Sequence, residues 1–276
     1  PVPRHIGRLQ SQPTDAAQRD PLRLVCNNSA VAGMGAVPIP YWFEDQSHPV
    51  PFASRPHVAS FQGAIASNSP LRAAVVEGFH GCERAVCRVN DNYFHALRED
   101  ERQALSASYW RLLSETQFSL CPRGDNCGSV RFYESLAAGC VPVLLADDVE
   151  LPLQNILPWD DMLVRVPESD ARNWPAHVER WQAKRTDDEL AVLSDHNRQT
   201  WLDWFHWSRL GRQLSVERVT RAIAAAERRE SKLPRAALEM PGMSSGKVRH
   251  LLNNLAARRY LEVGVWKGST FVAACF

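Results

Sequence analysis

The sequence predicts an α/β fold built on a parallel sheet, with a second, truncated α/β unit at the C-terminal end. Three observations carry this. Residues 118–145 run strand, loop, helix, strand, a βαβ unit whose strands lie parallel. Its strands, Phe118–Cys121 and Cys140–Leu145, lack the alternation of a half-exposed strand, as expected when helices cover both faces of a sheet. Further on, an amphipathic helix over Ser244–Arg259 leads directly into a strand over Tyr260–Val265, which opens a separate unit.

The elements follow in order. Residues 1–20 are polar and aperiodic, with Pro1, Pro3 and Pro13, and read as linker or frayed terminus. The main domain spans 21–230. Leu22–Cys26, Ala36–Pro40, His57–Gly63 and Arg84–Val89 are short apolar runs between turn residues, hence strands. Arg98–Gln117 is expected to be helical, with Leu105, Tyr109, Leu112 and Leu113 at helical spacing and no Pro or Gly. Ser129–Ala138 reads as a helix closed by Gly139, and Leu163–Val166 as a further strand. From Pro167 to Ser231 the pattern is helical, ending in good helix formers over Ser215–Glu230. In this stretch Trp201, Trp204 and Trp207 fit a packed helix face better than a sugar-stacking platform. Residues 231–243, with Pro234, Pro241 and Gly242, form a linker to the fragment at 244–276.

Composition excludes several classes. With 276 residues, 45% hydrophobic and 23% charged, the chain is not disordered. A net charge of +1 leaves no electrostatic footprint for nucleic acid. No apolar run approaches the roughly 20 residues of a membrane span; Cys140–Ala146 has seven residues, Pro142 included. Seven cysteines without a C-x-x-C pair indicate neither a zinc site nor a disulfide scaffold. Reduced thiols suit a cytoplasmic protein, with a membrane-peripheral location as the alternative. Pro1 and the apolar run around Phe276 suggest a fragment of a longer chain.

The central loop carries the chemistry. Phe118–Pro122 delivers the chain to the carboxyl edge of the sheet, where open α/β sheets bind ligands. Arg123-Gly-Asp-Asn-Cys-Gly-Ser129 follows, small enough for backbone N–H groups to approach an anion beside a helix N-terminus. Arg131 and Glu134 share one face of that helix. Phosphate near the loop and ribose at Glu134 would together describe a nucleotide. Spacing alone favours a simpler alternative, a solvated i,i+3 ion pair worth about 0.2–0.5 kcal/mol.

A resemblance shifts that balance. Residues Tyr109–Asp125, then Ser129-Val-Arg-Phe-Tyr-Glu134, then Ala138-Gly-Cys-Val-Pro-Val-Leu144 resemble the exostosin-type glycosyltransferases of family 47. Those proteins carry F-x-L-x-P-x-G, S-x-R-x-x-E and G-C-[IV]-P-V phrases. Asp147–Pro152 and Leu157-Pro-Trp159 fit the usual sequel, and Val37–Tyr41, Ser60–Gly63 and Arg72 the weaker upstream blocks. The resemblance covers roughly residues 35–170 and implies a GT-B fold of two Rossmann-like domains, with this chain on the nucleotide-sugar side. It implies that Arg123, Gly124 and Ser129 line a diphosphate, that Arg131 neutralises phosphate, and that Glu134 holds the ribose. The expected partners are a nucleotide-sugar donor and a glycan acceptor. No D-x-D motif is present, so no metal is expected and the transferase requires no cofactor. A base must still deprotonate the acceptor hydroxyl; Asp91, Glu44 and His80 are candidates that nothing in the sequence ranks.

In the C-terminal fragment, Leu261-Glu-Val-Gly-Val-Trp-Lys-Gly-Ser-Thr-Phe271 resembles the first motif of class I S-adenosylmethionine-dependent methyltransferases. Glu262, Gly264 and Gly268 match it. The cofactor would be S-adenosylmethionine only in a longer chain that completes the pocket. The leading function is therefore sugar transfer from a nucleotide donor to a hydroxyl acceptor. Two alternatives stand beside it: a non-catalytic nucleotide-sugar or glycan-binding module, and a targeting module for a fused methyltransferase.

Overall fold

The computed structural model describes residues 24–25, 37–90, 98–125 and 127–227. Strand β1 (Leu24–Val25) pairs parallel with β2 (Val37–Pro38), apart from the main sheet. The main sheet has five parallel strands: β3 (His57–Ala64), β4 (Ala85–Asn90), β5 (Thr116–Pro122), β6 (Val141–Leu145) and β7 (Val164–Arg165). Their order is β4-β3-β5-β6-β7.

Helices cover both faces, which is why β5 and β6 are buried along their whole length. On one face Phe118, Leu120, Val141, Val143 and Leu145 pack with Leu71 and Val75 of α1 (Ser69–Glu77) and with Trp174 and Val178 of α5 (Trp174–Gln182). On the other, Cys121 and Leu144 meet Phe132 and Leu136 of α3 (Val130–Ala137), with Trp159 of α4 (Trp159–Met162) behind them. Helix α2 (Glu99–Ser114) adds Trp110 and Leu113 against Ala138 and Cys140. Gly139 ends α3 at a φ of +64°, the left-handed conformation its position in the sequence predicts.

Two expectations change. The helix expected over Arg98–Gln117 stops at Ser114, because Thr116 already pairs with His57 and opens β5. The tryptophan helix is also interrupted. Helix α6 (Asp187–Thr200) gives way to a π turn at Trp201–Phe205, and the chain re-forms as α7 (Leu210–Glu227). Trp201 is buried, whereas Trp207 is 64% exposed, so the three indoles do not share one packed face.

Arg55 organises the amino edge of the sheet. It is 2% exposed, and among the described residues no carboxylate forms an ion pair with it. Its guanidinium donates to the carbonyls of Val50, Thr116, Ala138 and Gly139 and to Ser194 Oγ. The cation thereby meets the carbonyl end of α3, where positive charge is favoured. Burial lowers its pKa from the ordinary arginine value. Helix α7 is tied back through Gln213 to the Pro38 carbonyl and through Glu217 to the Leu153 amide. The five described cysteines are free thiols, and no described helix is long and apolar enough to cross a membrane.

Candidate functional site

The strand order creates a switch point. The chain leaves β3 outward to β4 and then crosses back to β5, so the loops after β3 and β5 diverge. Ligands of open α/β sheets bind in the crevice formed there. A cleft of about 460 Å3 opens at this place. Gln62, Gly63 and Ala64 end β3 on its floor. Arg72 enters from α1, Tyr109 and Trp110 from α2, and Val130, Arg131 and Glu134 from α3, with Trp42 at the rim.

Arg131 is held rather than loose. Its Nη2 donates to the Gln62 carbonyl at 2.5 Å, and its guanidinium carbon lies 4.8 Å from the centroid of the Phe61 ring. Nε is buried without a hydrogen-bond partner. The approach requires glycine at position 63, because a Cβ there would lie 2.7 Å from Nη2.

The solvated Arg131–Glu134 ion pair favoured by spacing does not form. Glu134 Oε2 instead accepts a 2.7 Å hydrogen bond from the Tyr109 hydroxyl. Burial raises the Glu134 pKa, while the Tyr109 bond and the Arg131 charge work in the opposite direction. Burial, with the neighbouring Glu134 charge, pushes the Tyr109 phenol well above its ordinary value, so it remains a donor at neutral pH.

Arg72 is the residue that sequence reasoning missed as a site member. It donates through Nη1 to the Ala64 carbonyl at 2.7 Å and adds a second guanidinium to the cleft. A signal was present: Arg72 and Arg131 each stand early in the helix that follows a central strand. Tyr109 was visible as a position on a helical stripe and as the start of the Tyr109–Asp125 run, but not as a site residue.

The remaining predicted residues lie as follows. Gly124 brings the two switch-point loops together, since a Cβ there would lie 2.8 Å from Ser67 Oγ. Asp125 fastens the same loops by accepting from the Asn68 amide at 3.0 Å. Ser129 is the N-cap residue of α3, in extended conformation, and its side chain does not cap the helix. Arg123 turns away from the cleft lining to Glu168, 2.6 Å from its Nε, so its charge is engaged outside the cleft. Glu44 is exposed and outside the cleft lining. His80 is exposed in the turn between α1 and β4, at the amino edge of the strands and away from the cleft. Asp91, Glu262, Gly264 and Gly268 lie outside the described residues. Among the described residues no three His, Cys, Asp or Glu side chains are grouped to hold a metal.

The cleft thus joins two arginines to a carboxylate one turn along from Arg131. Such an arrangement can take an anion at one wall and hydroxyl groups at the other. Comparison with known proteins adds the family. The family model described as the exostosin GT47 domain matches residues 24–180. The chain is 42% identical over 129 residues to an exostosin-1 homolog of Caenorhabditis elegans, covering 40% of this chain and 34% of that protein. It is 41% identical over 69 residues to exostosin-1c of Danio rerio, covering 25% of this chain and 9% of that protein. A protein of Arabidopsis thaliana named as a probable glucuronoxylan glucuronosyltransferase is 37% identical over 87 residues, 30% of this chain and 19% of that one. The matched regions therefore span about a third or less of these relatives.

Proposed function

The chain belongs to the exostosin GT47 family, and from that premise we propose that it forms the nucleotide-sugar side of a glycosyltransferase. The reaction is transfer of a sugar from a nucleoside diphosphate to a hydroxyl of a glycan acceptor. The observation that carries this reading is the switch-point cleft, where Arg131 is pinned beside Glu134. Arg131, with Arg72 beside the β3 end, faces the diphosphate and stabilises the charge that develops on it as the sugar bond breaks. Glu134 accepts hydrogen bonds from the ribose, and Ser129, whose side chain does not cap α3, offers its hydroxyl to phosphate. Gly124 sets the loop, and Arg123 acts through Glu168 on that loop rather than on the ligand. Two arginines and a helix start supply positive charge without a metal, so donor binding is metal-independent.

The acceptor's base is open among Asp91, which directly follows cleft residue Asn90 in sequence, Glu44 and His80. A methyltransferase start at Glu262, Gly264 and Gly268 rests on motif spacing alone, and S-adenosylmethionine binding by a longer chain tests it. For the transferase, release of uridine diphosphate from uridine diphosphate sugars is the direct assay. Turnover stimulated by a glycan acceptor supports transfer. Nucleotide binding without transfer or donor hydrolysis would favour a binding module instead.

A further inference from the structure

Tyr109 and Glu134 come from different helices, α2 and α3, yet meet at 2.7 Å inside the cleft. We propose that Tyr109 is a positioning residue for nucleotide recognition: its hydroxyl occupies Oε2 of Glu134 and turns Oε1 toward the ribose hydroxyls. The inference rests on the nucleotide reading of the cleft and adds a residue and a role to it.

The geometry supports a division of labour between the two oxygens. Oε2 is taken by Tyr109. Oε1 accepts no hydrogen bond among the described residues, and it is not one of the sealed polar atoms without a partner. A carboxylate oxygen left open on a cleft wall is an acceptor in want of donors, and vicinal hydroxyls supply them. A free Glu side chain would spend rotamer entropy on each binding event; one already tied to a tyrosine does not. Tyr109 is itself fixed, with its ring 5.8 Å from that of Trp110 and nearly edge-on. It remains protonated while Glu134 ionises, so it donates to the carboxylate and never competes for the proton.

The charged surroundings give the test a pH signature. Glu134 faces Tyr109 from α2, Arg131 from its own helix, and Cys121 from β5, whose thiol burial pushes up to about 11 and so keeps neutral. Arg72 of α1 also lines the cleft. Burial raises the Glu134 pKa and the Tyr109 bond lowers it. Removing that hydroxyl therefore makes Glu134 protonate at a higher pH than in the native chain.

The experiment titrates uridine diphosphate and 2′,3′-dideoxyuridine diphosphate by calorimetry across the acid range, using the native chain and Tyr109→Phe. The native chain should bind the first more tightly, with affinity falling as pH drops through the Glu134 pKa. Tyr109→Phe should bind it about five- to tenfold more weakly at neutral pH. Its acid fall-off should move to higher pH, while affinity for the dideoxy probe stays unchanged. Unchanged affinity and pH profile in Tyr109→Phe would overturn the positioning role while leaving the nucleotide reading intact. Absence of binding by either probe to the native chain would overturn both. If Tyr109→Phe does not fold, the native chain and Glu134→Gln decide: equal affinity of the native chain for the two probes, or an affinity gap between the probes that is the same in Glu134→Gln, would overturn the proposal, the shared diphosphate cancelling its own titration.

Discussion

Replacing Gly63 by alanine is the most selective way to move one cleft group. The added Cβ would lie 2.7 Å from Arg131 Nη2, about 0.7 Å inside ordinary van der Waals contact. What it strikes is the tip of a flexible side chain, not backbone, so the guanidinium yields and leaves the Gln62 carbonyl. The fold loses one hydrogen bond to a charged group, about 1.5 kcal/mol, and gains about 0.5–1 kcal/mol from replacing a strand glycine. The net change stays within about 1 kcal/mol, or roughly 2–4 °C in Tm for a domain of this size. Nucleotide binding responds much more. A charge-assisted phosphate contact is worth about 1.5–3 kcal/mol, so its misplacement weakens uridine diphosphate about ten- to 150-fold. Calorimetry and a thermal melt of Gly63→Ala, Arg131→Met and the double variant measure both quantities. In the double variant the glycine substitution should add nothing, because the group it displaces is gone. Additive losses in affinity would refute the reasoning, since Gly63 would then act by some route other than Arg131.

Two further outcomes concern the scaffold. Arg55→Met keeps the buried stem but removes the donors of four carbonyls and a serine hydroxyl, and should cost about 3–5 kcal/mol, lowering Tm by about 10 °C; a shift under about 2 °C contradicts the role given to it. The Arg123 hydrogen bond holds the Glu168 carboxyl below its ordinary pKa, so that pair stabilises the fold above the unfolded value near 4.5 and is lost as pH falls through the folded value. Glu168→Gln should therefore melt below the native chain at neutral pH, and the two melts should converge in strong acid; a constant gap would show that charge is not the cause.

How much was legible in the sequence follows from the physics of each part. The βαβ centre was legible because strands buried on both faces and a glycine-capped helix leave local signatures, and β5, α3 and β6 fall within about two residues of expectation. The pairing of Leu24–Val25 with Val37–Pro38 as a separate two-stranded patch was not, because pairing partners are a non-local property. At the candidate site, the sequence singled out Arg131 and Glu134, which both line the cleft, but their relationship was not legible. Spacing placed them on one face, whereas tertiary contacts sent Arg131 to Gln62 and Glu134 to Tyr109. Arg123 looked equivalent to Arg131 as a loop cation. Only the fold reveals that Glu168, 45 residues on, draws it away.

The proposed function requires the switch-point cleft to bind a nucleoside diphosphate through arginine and glutamate side chains without a metal. Calorimetric titration of the chain with uridine diphosphate, with and without EDTA, addresses it directly. The expected result is saturable one-site binding that chelator leaves unchanged and that Arg131→Met weakens at least tenfold (about 1.4 kcal/mol). Binding that vanishes with EDTA would contradict the metal-free site, and binding indifferent to Arg131→Met would contradict its location in this cleft.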